Sequence, residues 1–306
     1  MLRFVAERIA QAIVCLLVVS AIVFVLTRLT GDPVVLMLGD GSTEQDRQNL
    51  QKEMGLDQPL PVQYLAYLSK AVRGDFGQSI RTKRPALELV LERFPATLQL
   101  GLVSMAISLV LALLIGVNSA VHRGTALDHV GRLIAVLGQS LPSFWLGLIL
   151  ILVFAVWLRL LPTGGSGEWR HFILPAVTLG WYNVAVIMRL TRSSMLDVLG
   201  AEYVKLARAK GLSESAVIWK HAFRNAALPV VTFSSIVLVV MLGGAVVTET
   251  VFAWPGVGRL LMEAITWRDF PLVQTGVLLM SGLYVGVNLL VDLLYGYLNP
   301  RIRLER

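Results

Sequence analysis

Lys205, Arg208 and Lys210 crowd the last turn of a short amphipathic stretch, Glu202 to Leu212, that Gly211 closes. Glycine takes the left-handed conformation that ends helices, and cations favour a helix C-terminus. Ser213 is placed to cap the helix that follows, with Glu214 in its first turn. The chemistry this pattern offers is non-covalent: a rigid helix-glycine-helix unit with charges to pair and small side chains, Ala207, Ala209 and Gly211, that permit close approach. No nucleophile-base-acid constellation stands beside it. His122, His129, His171 and His221 are scattered, and no two hold the spacing of metal ligands on a helix, so no metal site is expected. A phosphate loop of the form Gly-x4-Gly-Lys-Ser/Thr is missing from the sequence, so nucleotide hydrolysis is not expected of this chain.

The elements that must position this unit are apolar. The chain of 306 residues is 56% hydrophobic and 15% charged, where soluble domains carry about a quarter charged residues. Uncharged runs near the length of about 20 residues that a bilayer core demands occur at Ile9–Leu26, Thr97–Val121, Leu133–Leu158, Phe172–Met188, Ala226–Thr248 and Phe270–Val291. The expectation is an all-α membrane protein of six transmembrane helices. The first run is longer than a signal-peptide core and lacks a clean small-x-small cleavage site, which favours a retained helix. Cys15, the single cysteine, excludes an intramolecular disulfide.

Net charge is +7, but the basic residues flank apolar spans and do not form one basic face, so no nucleic-acid partner is expected. Arg3 and Arg8, the cluster from Arg189 to Arg224, and Arg301, Arg303 and Arg306 fall on one side of a six-span topology. The positive-inside rule makes that side cytoplasmic, with both termini. The organisation expected is an N-terminal span at 1–30, an extracytoplasmic region at 31–96 and a five-helix core at 97–306 carrying the cytoplasmic loop at 195–228. Within 31–96, Ser42 or Thr43 caps a helix reaching about Met54, Pro61–Val72 forms a second and Pro85–Phe94 a third. Either a plain loop or a docking or plug element fits that region.

Several side chains interrupt the spans. Pro142 frees a carbonyl and is expected to kink the third span. Beside it Ser143, and further on Asn183, are candidates to line a pathway. Asn288 and Asp292 share a face of the last span, and charge within a membrane is functional by default. Gly282 and Gly286 suit close helix packing, expected within this chain. Trp254, Pro255 and Gly256 form an outer turn placed to touch a soluble partner, although an aromatic interface anchor explains Trp254 equally.

In order along the chain stand Gly31-Asp-Pro33, Gly55-Leu-Asp-Gln-Pro59, Gly74-Asp-Phe-Gly77, Ala207-Arg-Ala-Lys-Gly211, His221-Ala-Phe-Arg-Asn225 with Leu228-Pro229, Trp254-Pro-Gly-Val-Gly258, Asp292 and Asn299-Pro-Arg-Ile-Arg303. Together these resemble the permease subunits of bacterial ATP-binding-cassette (ABC) importers, and within them the B-type subunit of the peptide, glutathione and nickel importers. Lys205-Leu-Ala207 stands where the general importer loop has Glu-Ala-Ala, as in variants of the peptide branch. The resemblance implies the type I importer permease fold in the bacterial inner membrane. It implies a coupling helix for two ABC ATPase subunits at Glu202, Lys205, Ala207, Arg208, Ala209, Lys210 and Gly211. A second homologous permease completes the pathway, and an extracytoplasmic solute-binding protein delivers substrate. No cofactor belongs to this chain; ATP and Mg belong to the ATPases. The cargo implied is a di- or oligopeptide, with glutathione or a nickel chelate as alternatives. An ATP-independent secondary carrier is the competing class; six spans without a clear repeat argue against it.

Overall fold

The computed structural model describes residues 2–29, 38, 43–53 and 55–298. Gly31-Asp-Pro33, Ser42, Met54 and Asn299-Pro-Arg-Ile-Arg303 lie outside them, as does the side chain of Asp292. Among the described residues the protein is helical throughout, with one isolated bridge between Gln78 and Pro85. Five of the described helices are long and apolar enough to cross a membrane, and a bent pair, counted as one span, makes six. The chain forms two compact units, Met1–Pro95 with Gly256–Arg306, and Ala96–Pro255. This division differs from the expected one, because the last two helices group with the N-terminal region.

In the first unit α1 (Leu2–Leu29) packs along α12 (Phe270–Leu298), where Gln274 Nε2 donates to Thr27 Oγ1 at 2.7 Å. Thr43 caps α2 (Glu44–Glu53): the Asp46 amide donates to its hydroxyl oxygen at 3.3 Å, and its own hydroxyl donates to the Asp46 carboxylate at 2.6 Å. The Thr43 hydroxyl, with the Thr43 amide donating at 3.0 Å, holds the Asp46 carboxyl below its usual range. Next comes α3 (Leu60–Val72), started by Pro59 and Pro61 and ended by Gly74, whose φ of +81° allows the Asp75 amide to reach back to the Lys70 carbonyl at 3.0 Å. Ala86, Val90, Val257, Ala264 and Leu272 make the buried core, which brings α11 (Val257–Thr266) against the residues that follow Pro85.

Helix α4 (Ala86–Val121) corrects the sequence expectation, since Pro85–Phe94 is no separate helix but the beginning of a 36-residue one that runs through Pro95. A proline inside a helix forfeits one hydrogen bond and need not end it. At 1.5 Å per residue the helix is about 54 Å long, well beyond a bilayer core of about 30 Å, so its charged first turns project from the membrane. There Arg84 pairs with Glu88 at 2.8 Å and Glu92 at 2.5 Å.

The second unit holds the rest of α4 and then α5 (Ala126–Ser140) and α6 (Ser143–Leu150), which continues as a π-helical segment over Ile151–Trp157. The kink expected at Pro142 is a full break: α5 and α6 turn through 108°. Small residues on α5 let it lie tightly on α7 (Arg170–Leu199); a Cβ at Gly138 would fall 2.6 Å from that of Ala185. Short α8 (Glu202–Ala209) and the single turn α9 (Glu214–Ala216) follow. A π segment, Val217–Ala222, then leads without interruption into α10 (Phe223–Val251). Pro229 lies inside α10.

Asp269 organises the start of α12. Its carboxylate is 1% exposed and accepts the Ser79 hydroxyl at 2.5 Å, the Ile80 amide at 3.1 Å and the Leu272 amide at 3.4 Å. It therefore caps α12 and ties the Gly74–Pro85 segment to it. Asp269→Ala strands these donors, and the expected cost is about 1–3 kcal/mol. In detergent the variant should melt earlier than wild type and be cleaved faster within residues 78–84; unchanged melting would refute this role for Asp269.

Candidate functional site

The glycine break of the sequence is a well-defined structural unit. Ala201 enters α8 in an extended conformation (φ −70°, ψ 147°), and Gly211 leaves it at φ +76°. The Leu212 amide donates to the Ala207 carbonyl at 3.4 Å and the Gly211 amide to the Arg208 carbonyl at 2.9 Å. That bond pair is the Schellman closure, which needs a left-handed residue and therefore favours glycine. Ser213 then caps the next turn, accepting from the Ala216 amide at 3.4 Å. Across the break Arg208 grips Glu214 with two bonds, Nη2 to Oε1 at 2.7 Å and Nε to Oε2 at 3.2 Å.

Those bonds raise the Arg208 guanidinium above its ordinary pKa, with Glu214 as the cause. Both groups are largely exposed, so the pair is worth at most about 1 kcal/mol and its value is geometric. Lys205 is similarly held by Glu202 at 2.7 Å. Of the three cations of this helix end, Arg208 and Lys205 are thus engaged within the chain. No ion pair of Lys210 occurs among the described residues.

The packing sorts the remaining side chains by face. Val204 and Val217 are fully buried and Ala207 nearly so, forming a cluster with Val198 and Leu199 of α7. Ala207 therefore serves contact within the chain, correcting its expected use as a small residue that admits a partner. Burying each valine is worth roughly 1.5–3 kcal/mol, enough to hold α8 to α7. Val198 and Leu199 also pack on a second cluster of Val117, Ala120, Met195, Ala222 and Ala226. A displacement of α8 thus meets α7, the end of α4 and the start of α10 together. The outer face shows Ala209, Lys210 and Gly211 with Tyr203 at 43%, Leu206 at 56% and Leu212 at 42% exposure, and Trp219 stands nearby at 48%. Sequence reasoning missed this apolar rim. The signal was there: Tyr203 and Leu206 are spaced i, i+3 on α8, a second stripe beside Val204 and Ala207.

A buried ion pair was missed as well. Asp128, 1% exposed at the start of α5, accepts Arg192 of α7 twice, at 2.8 and 3.0 Å, together with the Ser119 hydroxyl of α4 at 2.5 Å and the Gly124 amide at 3.0 Å. Three helices meet at one carboxylate. In the sequence Arg192 reads as one more loop cation, and nothing local couples it to an acid 64 residues earlier.

The other expected site residues are dispersed. Pro142 and Ser143 are exposed at the α5–α6 break, and Asn183 is buried with its amide on its own helix, donating to Leu179 O at 3.2 Å. These three belong to the second unit. Asn288 and Asp292 belong to the first, where Asn288 Nδ2 donates to Tyr284 O at 3.0 Å. Gly282 and Gly286 have nothing within 4 Å of a built Cβ among the described residues, so among these the expected packing within this chain is not made there. Trp254 is 1% exposed; its indole donates to Ala96 O at 3.0 Å and its ring meets Phe172 edge-on at 4.6 Å. With Pro255 half-buried and Gly256 buried, this turn offers a partner little surface. Near it Glu249 is fully buried and accepts the Thr97 hydroxyl at 2.7 Å.

Two variants separate the roles. Asp128→Ala leaves Arg192 without its carboxylate, with an expected loss of roughly 3–5 kcal/mol and poor recovery of folded protein from membranes. Gly211→Val forces a branched residue into the left-handed region at a cost of about 1–2 kcal/mol. No atom within 4 Å of a Cβ there adds a clash, so the damage should stay local, with normal insertion and a misdirected α8. Thermal unfolding should show a large shift for the first and a small one for the second; equal shifts would refute the assignment.

Comparison with known proteins places the chain. Residues 94–304 match the family described as "Binding-protein-dependent transport system inner membrane component", and residues 1–101 match its N-terminal counterpart, "Binding-prot-dependent transport system membrane comp, N-term". The protein named "Glutathione transport system permease protein GsiC" is 43% identical over 304 residues in both Salmonella choleraesuis (strain SC-B67) and Escherichia coli (strain K12), covering 99% of each chain. Among solved structures, an amino acid ABC transporter superposes with TM-score 0.55 at 13% identity, over 68% of this chain and 92% of that one. The MetNI methionine ABC transporter does so with TM-score 0.52 at 21% identity, over 67% and 95%. These two show the fold.

Proposed function

This chain belongs to the binding-protein-dependent transport system inner membrane components, and on that premise we propose that it pairs with a second, homologous permease subunit to form a solute pathway driven by two ABC ATPases. It is a multi-pass permease of an ABC importer in the inner membrane. Within that frame α8 is the coupling helix. The apolar rim of Tyr203, Leu206 and Leu212 seats in a cleft of the ATPase, and the Val204–Val217 anchor passes ATPase closure to α7, α4 and α10 as a rigid-body movement. The rim is the observation that carries this reading: an exposed apolar surface beside a helix that its own packing holds rigid. ATP and Mg act on the partner subunits, and the α8 side faces the cytoplasm.

The cargo is a small peptide delivered by an extracytoplasmic binding protein, with glutathione, itself a tripeptide, foremost. Full-length identity to permeases named for glutathione transport supports that choice. Pull-down of the tagged chain from native membranes should recover one sister permease and P-loop ATPases. The complex in proteoliposomes, with its binding protein, should take up labelled glutathione only with ATP, and competing dipeptides show how wide the specificity is. Uptake by the chain alone without ATP would move the assignment to a secondary carrier. Leu206→Asp should insert normally and bind the ATPases at least ~tenfold more weakly, as expected for loss of an apolar anchor. Unchanged ATPase recovery with that variant would show that the rim is not the docking surface.

A further inference from the structure

The uncharged stretch of α1 between Arg8 and Arg28 fixes where hydrocarbon lies along that helix. α3 does not stand clear of it. The Tyr64 hydroxyl bonds to Ser20 Oγ at 2.7 Å and to the Leu17 carbonyl at 3.2 Å, and Phe24 packs against both Tyr64 (5.5 Å between ring centres) and Tyr67 (5.7 Å). Ser20 and Leu17 lie eight and eleven residues before Arg28, about 12 and 16 Å down the helix axis at 1.5 Å per residue. Even with a tyrosine side chain fully extended toward them, the Tyr64 backbone sits below Arg28, inside the uncharged stretch.

The faces of α3 agree with that depth. Pro61, Leu65, Leu68 and Val72 repeat at i, i+4, i+7 and i+11 as one apolar stripe beside the tyrosine face, with Leu65 62% and Val72 81% exposed. The opposite side carries Gln63 and Lys70, the helix's single charge. That polar side borders a cavity of about 260 Å³ lined also by Arg28, Gln58 and Asp75. A helix with an apolar stripe level with a spanning helix, and its cation on the other side, has the design of an interfacial helix. Sequence reasoning placed this helix in an extracytoplasmic loop, because thirteen residues cannot span a membrane and the contact with α1 is not local.

We propose that α3 is embedded in the bilayer leaflet at the C-terminal end of α1, its Pro61–Leu65–Leu68–Val72 face in phospholipid acyl chains and Lys70, with Arg28, at the level of the head-group phosphates. Phospholipid, and not a protein, is the occupant because the exposed stripe lies at the depth of the lipid-crossing part of α1, whose own Leu17, Val18, Ile22 and Val25 are equally open.

The test uses the purified membrane complex in nanodiscs of phosphatidylethanolamine and phosphatidylglycerol. In a Cys15→Ser background, nitroxides are placed singly at Leu65→Cys, Val72→Cys and, on the polar side, Lys70→Cys. Collision with oxygen should exceed collision with a water-soluble nickel complex several-fold at the first two positions, and the order should reverse at Lys70. Nickel collisions dominating at Leu65 and Val72 would place α3 in water and overturn the proposal. Both collisions suppressed there would show a protein surface covering the stripe and overturn it equally. Val72 and Leu65 report the same face independently, so failure of one labelled variant to assemble leaves the other decisive.

Discussion

Hydrocarbon offers no hydrogen bonds, so each backbone amide inside the membrane must be met by the chain itself. This constraint sets the architecture. It makes the spans helical, and it sends stray hydroxyls back to their own helix: Ser104 to Leu100, Ser108 to Ser104, Ser140 to Val136 and Thr191 to Ile187, each between 2.6 and 2.9 Å. Polar contact between helices is strongest where a buried carboxylate gathers donors from another element. Asp128 with Arg192, Glu249 with Thr97 and Asp269 with Ser79 are such points. Elsewhere the helices are held by shape, most tightly where α5 puts Gly131 and Gly138 against α7.

Such an arrangement suits a protein that must move as blocks. A carboxylate that serves three helices at once, as Asp128 does, makes them shift together or not at all. The coupling region adds its own rigid link, because Val198 and Leu199 belong to both the cluster beneath α8 and the cluster joining α4, α7 and α10. No flexible linker intervenes: the chain passes from α9 through the π segment into α10 without a break. Movement entering at α8 therefore reaches the membrane through packed side chains.

Much of this was legible in the sequence, for physical reasons that differ by element. Spans are read from the bare absence of charge, a signal that depends on no partner. The end of α8 at Gly211 and the cap at Ser213 are local devices, settled within a few residues, and they stand where the sequence puts them. The failures are non-local or involve proline. The expected third helix stops at Phe94, yet Pro95 lies inside a helix that continues on either side, as does Pro229. Trp254 reads as a surface anchor from its turn and is buried by Phe172 and the Ala96 carbonyl, both far away in sequence. The partners of Asp128 come from three separate elements, and no periodicity announces them.

The charges of the coupling loop carry a consequence for how it binds. Arg208 and Lys205 look from the sequence like a basic lure for an acidic partner, but each already has a carboxylate of this chain, Glu214 and Glu202. To recruit them, a partner must first break those pairs, and an exposed pair regained elsewhere returns about what was lost. Such an exchange adds little to affinity and is screened by salt. The Tyr203 hydroxyl keeps one bond, accepting from Asn225 Nδ2 at 2.9 Å. The apolar surfaces of Tyr203, Leu206 and Leu212 stay open, and burying them scales with the area removed from water. The ion pairs then act as internal bracing: Arg208 and Glu214 fix the angle between α8 and α9 across Gly211, so that the apolar rim meets its cleft already shaped.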